Sequence, residues 1–225
     1  MAYRAMKRVI DFLVSLTALI ALFPLFIWIA WKIKKDSEGP AIFTQIRVGK
    51  NQKKFVFYKF RTMVQDAEKQ FRKVKHLNEA DGPVFKIAAD PRLTSFGKWL
   101  REKNLDELPQ LWNVLKGDMS LVGFRPPVPS EVKKYKKWQL RRFEGKPGIT
   151  SLWAVKGGHK ISFDNWIKMD LWYEKNASIW LDFKILSATI KDTGFRIRAK
   201  KHNLNYYPES DIKISRKALS SISEE

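Results

Sequence analysis

Between Val9 and Trp31 the chain is apolar except for Asp11, a few hydroxyls and Pro24. Basic residues stand on both sides: Arg4, Lys7 and Arg8 before the run, Lys32, Lys34 and Lys35 after it. As one straight helix the run would measure roughly 35 Å, enough to cross a hydrocarbon core of ~30 Å. A single-pass anchor is therefore one reading. Two features oppose it. A spanning helix would carry one of the two basic clusters to the far side, against the positive-inside bias. Pro24, mid-segment, removes a helix hydrogen bond and crowds the preceding turn, although transmembrane helices tolerate proline. A helix that enters, bends at Pro24 and returns through the same leaflet satisfies both. A cleaved leader is not expected, because no small-residue cleavage site follows the run.

The chain has 225 residues, enough for one domain. Its net charge of +20 should attract polyanions: nucleic acid, an anionic membrane surface or phosphorylated substrates. The 9 Trp and 15 Phe among the lysines and arginines suit headgroup level, where an indole ring is buried and its N–H stays wet. No nucleic-acid-reading motif is present, and a nucleic-acid binder would not need Val9–Trp31. With no cysteine, structural disulfides are excluded. No P-loop, dinucleotide glycine motif, zinc-ligand spacing or internal repeat occurs. His76, His159 and His202 are scattered, without local partners that argue for catalysis.

The remaining pattern predicts a predominantly helical α+β fold. Ala41–Gln45 and Phe55–Phe60 carry β-formers on either side of Gly49-Lys50-Asn51-Gln52, a small hairpin. Thr62–Leu77 reads as a polar helix, with Met63, Ala67, Phe71 and Val74 on one side. Thr94 is an N-cap for a helix carrying Trp99, Leu100 and Arg101. Ser130–Phe143 reads as a basic amphipathic helix, either lying on anionic lipid or packing one aromatic stripe on the core. Leu171–Ile190 is a further helical, apolar-aromatic stretch. Three parts are expected: a re-entrant membrane segment (1–35), a cytosolic and interfacial domain (36–200) and a polar tail (201–225), frayed at its end.

Chemistry concentrates between Asp90 and Pro127. Asp106 and Glu107 open a segment whose Leu108, Leu111, Trp112 and Leu115 recur at helical spacing. Pro109 suits a first helical turn and Gly117 the position past the last. The acids would thus sit at a helix N-terminus, where the macrodipole favours their ionised form. Alone, that is more often a cap than a site. Arg92, Arg101 and Arg125 flank the pair, and a guanidinium matches phosphate oxygens well. A carboxylate among them is a candidate nucleophile toward phosphorus, or a ligand for Mg²⁺.

The string LDELPQLWNVLKGDMSLVGFRP closely resembles the signature block of the bacterial sugar transferases, the monotopic polyprenol-phosphate phosphoglycosyl transferases. The likeness runs from about Lys7 to about Ile190. It takes in Lys7-Arg8 with Asp11, Pro24, Gly39-Pro40, Phe43, Gln45, Arg47, Gly49 and Lys59-Phe60-Arg61-Thr62-Met63. It continues through Gly82-Pro83-Val84-Phe85-Lys86, Asp90-Pro91-Arg92, Gly97, Leu100-Arg101 and Lys146-Pro147-Gly148-Ile149-Thr150. Asp170, Tyr173, Asn176, Ser178 and Asp182 complete it. The resemblance implies a re-entrant helix broken at Pro24, on the cytoplasmic face of a bacterial inner membrane. It implies transfer of a phosphosugar from a UDP-sugar to polyprenol (undecaprenyl) phosphate, with UMP released, at the start of glycan, exopolysaccharide or O-antigen assembly. Asp106 is then the nucleophile that forms an aspartyl-phosphosugar intermediate and the protein ligand of Mg²⁺. Glu107 assists one of those roles. Lys59, Arg61, Arg101 and Arg125 are candidates to bind phosphate. Anionic lipid is a further partner, and a homo-oligomer is left open.

Departures from the family pattern fall at Phe23, where a serine often precedes the proline, and at Gln52, where glycine is common. Phe124 replaces the first proline of Gly-Pro-Arg-Pro. Ser151, Ala154 and Lys156-Gly157-Gly158 depart from Gly-Leu-x-Gln-Val-x-Gly-Arg. The alternative is a catalytically degenerate, membrane-anchored scaffold of polysaccharide assembly, which would have no need of an intact acid pair.

Overall fold

The computed structural model describes residues 2–156 and 161–202, with the backbone path alone for 192–202. The apolar run folds as two helices, α1 (Ala2–Ala21) and α2 (Phe23–Asp36), bent by 62° at Leu22. Pro24 sits in the first turn of α2, where its missing N–H costs nothing. Hydroxyls loosen the helix ahead of the bend: Ser15 donates to the Asp11 carbonyl at 2.6 Å and Thr17 to the Leu13 carbonyl at 2.8 Å. These back-bonds precede a break that here has Phe23 before its proline. No single described helix is long and apolar enough to cross a membrane, whereas the bent pair together has the length and composition.

The hairpin is present and longer than expected. Strands β1 (Ile42–Val48) and β2 (Lys54–Phe60) pair antiparallel, with Phe43 opposite Lys59, Gln45 opposite Phe57 and Arg47 opposite Phe55. Since cross-strand partners share a face, Arg47 and Lys59 lie on the same side of the sheet. The turn is a 3₁₀ turn over Lys50–Gln52, with Asn51 at φ 53° and Gln52 at φ 58°. Asparagine tolerates the left-handed region; glutamine is strained there, in the place where the resemblance expects glycine.

Three helix expectations need correction. Thr62–Leu77 is not one helix: only Phe71–Val74 (α3) is α-helical, followed by a 3₁₀ turn over Lys75–Leu77. The first residues are drawn into strand-like pairing instead. Met63 bridges Leu93, Thr94 N–H donates to the Thr62 carbonyl at 3.1 Å, and Val64 N–H to that of Arg92 at 3.0 Å. Ser130–Phe143 divides into α6 (Pro129–Val132) and a 3₁₀ run over Lys137–Glu144. Its aromatic stripe packs inward, Tyr135 stacking on Phe143 at 6.1 Å, while Lys133, Lys134, Lys136, Lys137 and Arg141 stay exposed. Leu171–Ile190 breaks at Ala177-Ser178, between α8 (Phe163–Asn176) and α9 (Ile179–His202).

Helix α4 (Ser95–Glu102) starts as expected, with Thr94 Oγ1 accepting from Gly97 N–H at 3.0 Å. Its face with α2 is aromatic: the Trp28 ring lies 5.8 Å from Phe96 and 6.1 Å from Trp99. Helix α5 (Gln110–Lys116) ends on Gly117 at φ 92°, the position its sequence marks out. Asn113 docks α5 on the hairpin, donating to the Val56 carbonyl at 2.7 Å and accepting from Tyr58 N–H at 3.2 Å. A short parallel pair that the sequence did not announce, β3 (Ser120–Val122) with β4 (Gly148–Thr150), lies behind it. The main core gathers Phe57, Leu111, Val114, Met119, Leu152 and Ile185 from these elements and α7 (Leu152–Val155). The tail beyond His202, with Gly157-Gly158 and His159, lies outside the described residues.

Candidate active site

Asp106 and Glu107 do not open α5. They occupy a separate 3₁₀ turn, Leu105–Glu107, between α4 and α5. Asn104, in the left-handed conformation at φ 55°, turns the chain into it. This corrects the expected electrostatics as well as the position. Asp106 is only 6 % exposed, and its desolvation raises the carboxyl above its ordinary range, against the pull of Lys59 and Arg101. Glu107 is exposed on its open side. It too is raised, first by the protein atoms that crowd it and then by the charge of Asp106, with Lys59, Gln110 and Arg125 opposing. Asp106, buried, and Glu107, crowded at its base, both hold protons more tightly than free carboxyls. Desolvation, not the macrodipole of α5, governs them.

The fold brings Lys59, Arg101 and Arg125 around this pair. Lys59 comes from the end of β2, its ammonium 5.4 Å from the Phe43 ring. Burial and Arg101 push it down to about 8. Arg101 projects from the last turn of α4, and its Nε donates to Thr62 Oγ1 at 3.0 Å. Arg125 reaches in from the segment after β3, paired with Glu131 at 3.2 Å. Its carbonyl accepts from Arg142 Nη2 at 3.2 Å, and the same nitrogen bonds the buried Asp170 at 2.6 Å. Among the described residues, no ion pair within 4.0 Å closes Asp106 or Glu107 onto these cations. Desolvated Lys59 and Arg101 converge on the acid pair without closing an ion pair with it, with Arg125 nearby on Glu131, as in a site for a charged ligand.

Arg61 is not part of this cluster. Its guanidinium donates to the Ser37 carbonyl at 2.7 Å and to that of Glu38, clamping the chain as it leaves α2. Arg92 is likewise engaged elsewhere, in a buried pair with Asp90 at 2.6 Å. Arg47 was not assigned a role from sequence, yet it lies on the Lys59 face, within electrostatic reach of Arg125 and Glu107. Burial and Arg125 push it down to about 10. Its Nη1 donates to the Pro126 carbonyl at 2.9 Å. Strand parity, 47 and 59 both odd in a hairpin centred between them, was the signal available. Thr62 and Gln110 were also missed: one orients Arg101, and the other, 2 % exposed, backs Glu107.

Phe124, the departure nearest the cations, is absorbed by the core. Its ring meets Phe143 edge-on at 5.4 Å, with the Arg142 guanidinium 4.9 Å above it. No group of three or more His, Cys, Asp or Glu placed to hold a metal occurs among the described residues. The adjacent carboxyls Asp106 and Glu107 are a donor set of the kind Mg²⁺ accepts, since it usually binds one or two carboxylates and completes its shell with substrate phosphates and water.

A family profile described as bacterial sugar transferase matches residues 2–196. The chain is 46% identical over 186 residues to a galactosyl transferase, CpsE, of Streptococcus agalactiae, covering 82% of this chain and 41% of that protein. It is 41% identical over 196 residues to the undecaprenyl-phosphate galactose phosphotransferase of Salmonella typhimurium, covering 84% and 40%. It is 38% identical over 191 residues to a UDP-galactose-lipid carrier transferase of Erwinia amylovora, covering 83% and 40%. The chain thus spans about two fifths of the length of these relatives.

Proposed function

The chain belongs to the bacterial sugar transferase family, and on that footing we propose that it is a phosphoglycosyl transferase, moving a phosphosugar from a UDP-sugar to a polyprenol phosphate. The observation that carries this reading is the convergence of Lys59 and Arg101 on Asp106 and Glu107 without an ion pair between them, with Arg125 beside them. The names of two relatives, for undecaprenyl phosphate and for UDP-galactose, support the classes of acceptor and donor.

In the first step an oxygen of the Asp106 carboxylate attacks the sugar-bearing phosphorus. The phosphoanhydride bond breaks and UMP leaves with its electron pair. In the second, a phosphate oxygen of the polyprenol phosphate attacks the same phosphorus, the Asp106 O–P bond breaks, and the carboxylate is regenerated. Two displacements let a soluble donor and a lipid acceptor use one nucleophile in turn. Arg101 and Arg125 hold non-bridging oxygens and Lys59 faces charge building on the leaving phosphate. Asp106, with Glu107 beside it, would hold Mg²⁺, which would neutralise the diphosphate when bound. Incubating the purified chain with a panel of UDP-sugars and polyprenol phosphate should release UMP from at least one donor, and excess chelator should stop it. No release from any donor would remove the enzymatic reading; undiminished release in metal-free buffer would remove Mg²⁺.

The same proposal places α1 and α2 as a dip into the cytoplasmic leaflet. Support comes from the 62° bend, the basic residues at both ends and the exposed Ile20, Phe23, Ile27 and Trp31. The chain lacks cysteine, so single substitutions Ala2→Cys and Glu38→Cys report each end. Both should resist an impermeant thiol reagent in intact cells and label after lysis. Labelling of one alone from outside would mean a spanning segment.

A further inference from the structure

A second basic cavity lies away from the acid pair, at the far end of α5. It encloses about 100 Å³, bounded by the first turns of α1, the hairpin turn, β3 and the segment before β4. Lys7, Arg8, Asp11, Lys50, Ser120 and Lys146 line it. Lys7 is committed to Asp182 at 2.8 Å, and Arg4, at the rim, to Glu174 at 2.8 Å. Arg8 and Lys146 are engaged by neutral groups. Arg8 donates to the carbonyls of Val114 and Leu115 at 2.6 and 2.7 Å, and Lys146 Nζ to that of Gly117 at 2.9 Å. Asp11 faces them as the remaining carboxylate, itself accepting from Leu121 N–H at 3.1 Å. The Ser120 side chain is 0 % exposed, and its Oγ has no hydrogen-bond partner among the described residues.

That combination points to an anion. A buried hydroxyl without a partner in a polar cavity calls for an occupant, and the volume suits about three waters or one phosphate group. Water would satisfy Ser120 but would leave the charges of Arg8, Lys50 and Lys146 offset by Asp11 and, at Lys146, by Asp118, which is already paired with Lys116 at 3.0 Å. The crowding is already expressed: burial, with the charges of Arg8 and Lys50, holds the Lys146 ammonium below its ordinary range. We propose that this cavity is a second phosphate-binding site, in which Lys50 and Lys146 supply charge and Ser120 Oγ a hydrogen bond. It differs from the catalytic cluster, which stands before the other end of α5, roughly 10 Å away for a helix of this length. Its phosphate belongs to a free anion or to a phospholipid headgroup reaching the start of α1.

The test uses the full chain in detergent, titrated calorimetrically with inorganic phosphate at constant ionic strength. In parallel it is floated on vesicles of phosphatidylcholine with and without phosphatidylglycerol. Lys50→Ala should weaken phosphate binding about tenfold and Ser120→Ala severalfold. Lys54→Ala, an equal change of charge on the exposed start of β2, and Arg125→Ala, in the catalytic cluster, should leave this binding in place. If free phosphate does not bind but Lys50→Ala and Ser120→Ala both reduce flotation on phosphatidylglycerol vesicles beyond Lys54→Ala, the headgroup is the ligand and the site stands. Phosphate binding that Arg125→Ala alone removes would overturn the proposal. So would identical behaviour of Lys50→Ala, Ser120→Ala and Lys54→Ala in both assays.

Discussion

Asp106→Asn should lower UMP release by roughly 10⁴-fold or more, the scale on which removal of a covalent nucleophile acts, while membrane association persists. Thermal stability is expected to move the other way. The native carboxyl is raised above its ordinary value of 3.8 by desolvation. Above that value the folded state therefore holds more protons than the unfolded one, and stability falls as pH rises. The penalty vanishes well below 3.8, where both states are protonated, and is fully present above the native value. Asparagine keeps the shape and removes the charge, so Asp106→Asn should melt higher than the native chain near pH 7.5 and by much less near pH 4. Paired unfolding curves at the two pH values check this. A variant destabilised at pH 7.5 would mean that the carboxylate is held by favourable partners, contrary to its proposed availability for attack.

Gly97→Ala should be among the most damaging small substitutions, costing about 3 kcal/mol or more. Gly97 lies inside α4, where alanine is normally the better helix former. Here a Cβ would come within 2.0 Å of the Thr62 carbonyl oxygen, a backbone atom with no rotamer through which to escape. Helix and strand end must then separate. The Thr62 hydroxyl holds Arg101 at 3.0 Å, so the same displacement carries a guanidinium proposed to bind phosphate out of place. The expected signature is a lowered unfolding midpoint together with a raised KM for the UDP-sugar in whatever fraction remains folded. Lys98→Ala, exposed on the next position of α4, is the control and should be near neutral. Equal stability of the two variants would contradict the close packing of α4 on Thr62.

Elements whose signals are local were legible in the chain. Pro24 marked the helix break, Thr94 and Gly117 the ends of their helices, and alternating β-formers the hairpin. What could not be read depended on partners distant in sequence. Thr62–Met63 carries helical spacing, but Leu93 and Thr94 claim its backbone for pairing. Ser130–Phe143 has an amphipathic pattern, but Arg142 is pulled inward by Asp170 and stacks on Phe124, which divides the segment. Arg61 and Lys59 are two residues apart and looked equivalent as phosphate ligands. The loop after α2 recruits Arg61 as a clamp, while Lys59 remains facing the acids. The acid pair itself was legible; its protonation behaviour was not, because a helix-terminus argument cannot count the atoms that desolvate Asp106.

The most direct measurement is to mix the full chain with a UDP-sugar and Mg²⁺ in the absence of any polyprenol phosphate, quench, and read UMP and intact protein mass together. Covalent transfer predicts a burst of UMP approaching one per active chain. The protein should gain the mass of one phosphosugar, on the peptide containing Asp106, and lose it when polyprenol phosphate is added. UMP release that waits for the lipid acceptor, with no mass gain at any time, would show direct transfer between substrates and contradict Asp106 as the nucleophile.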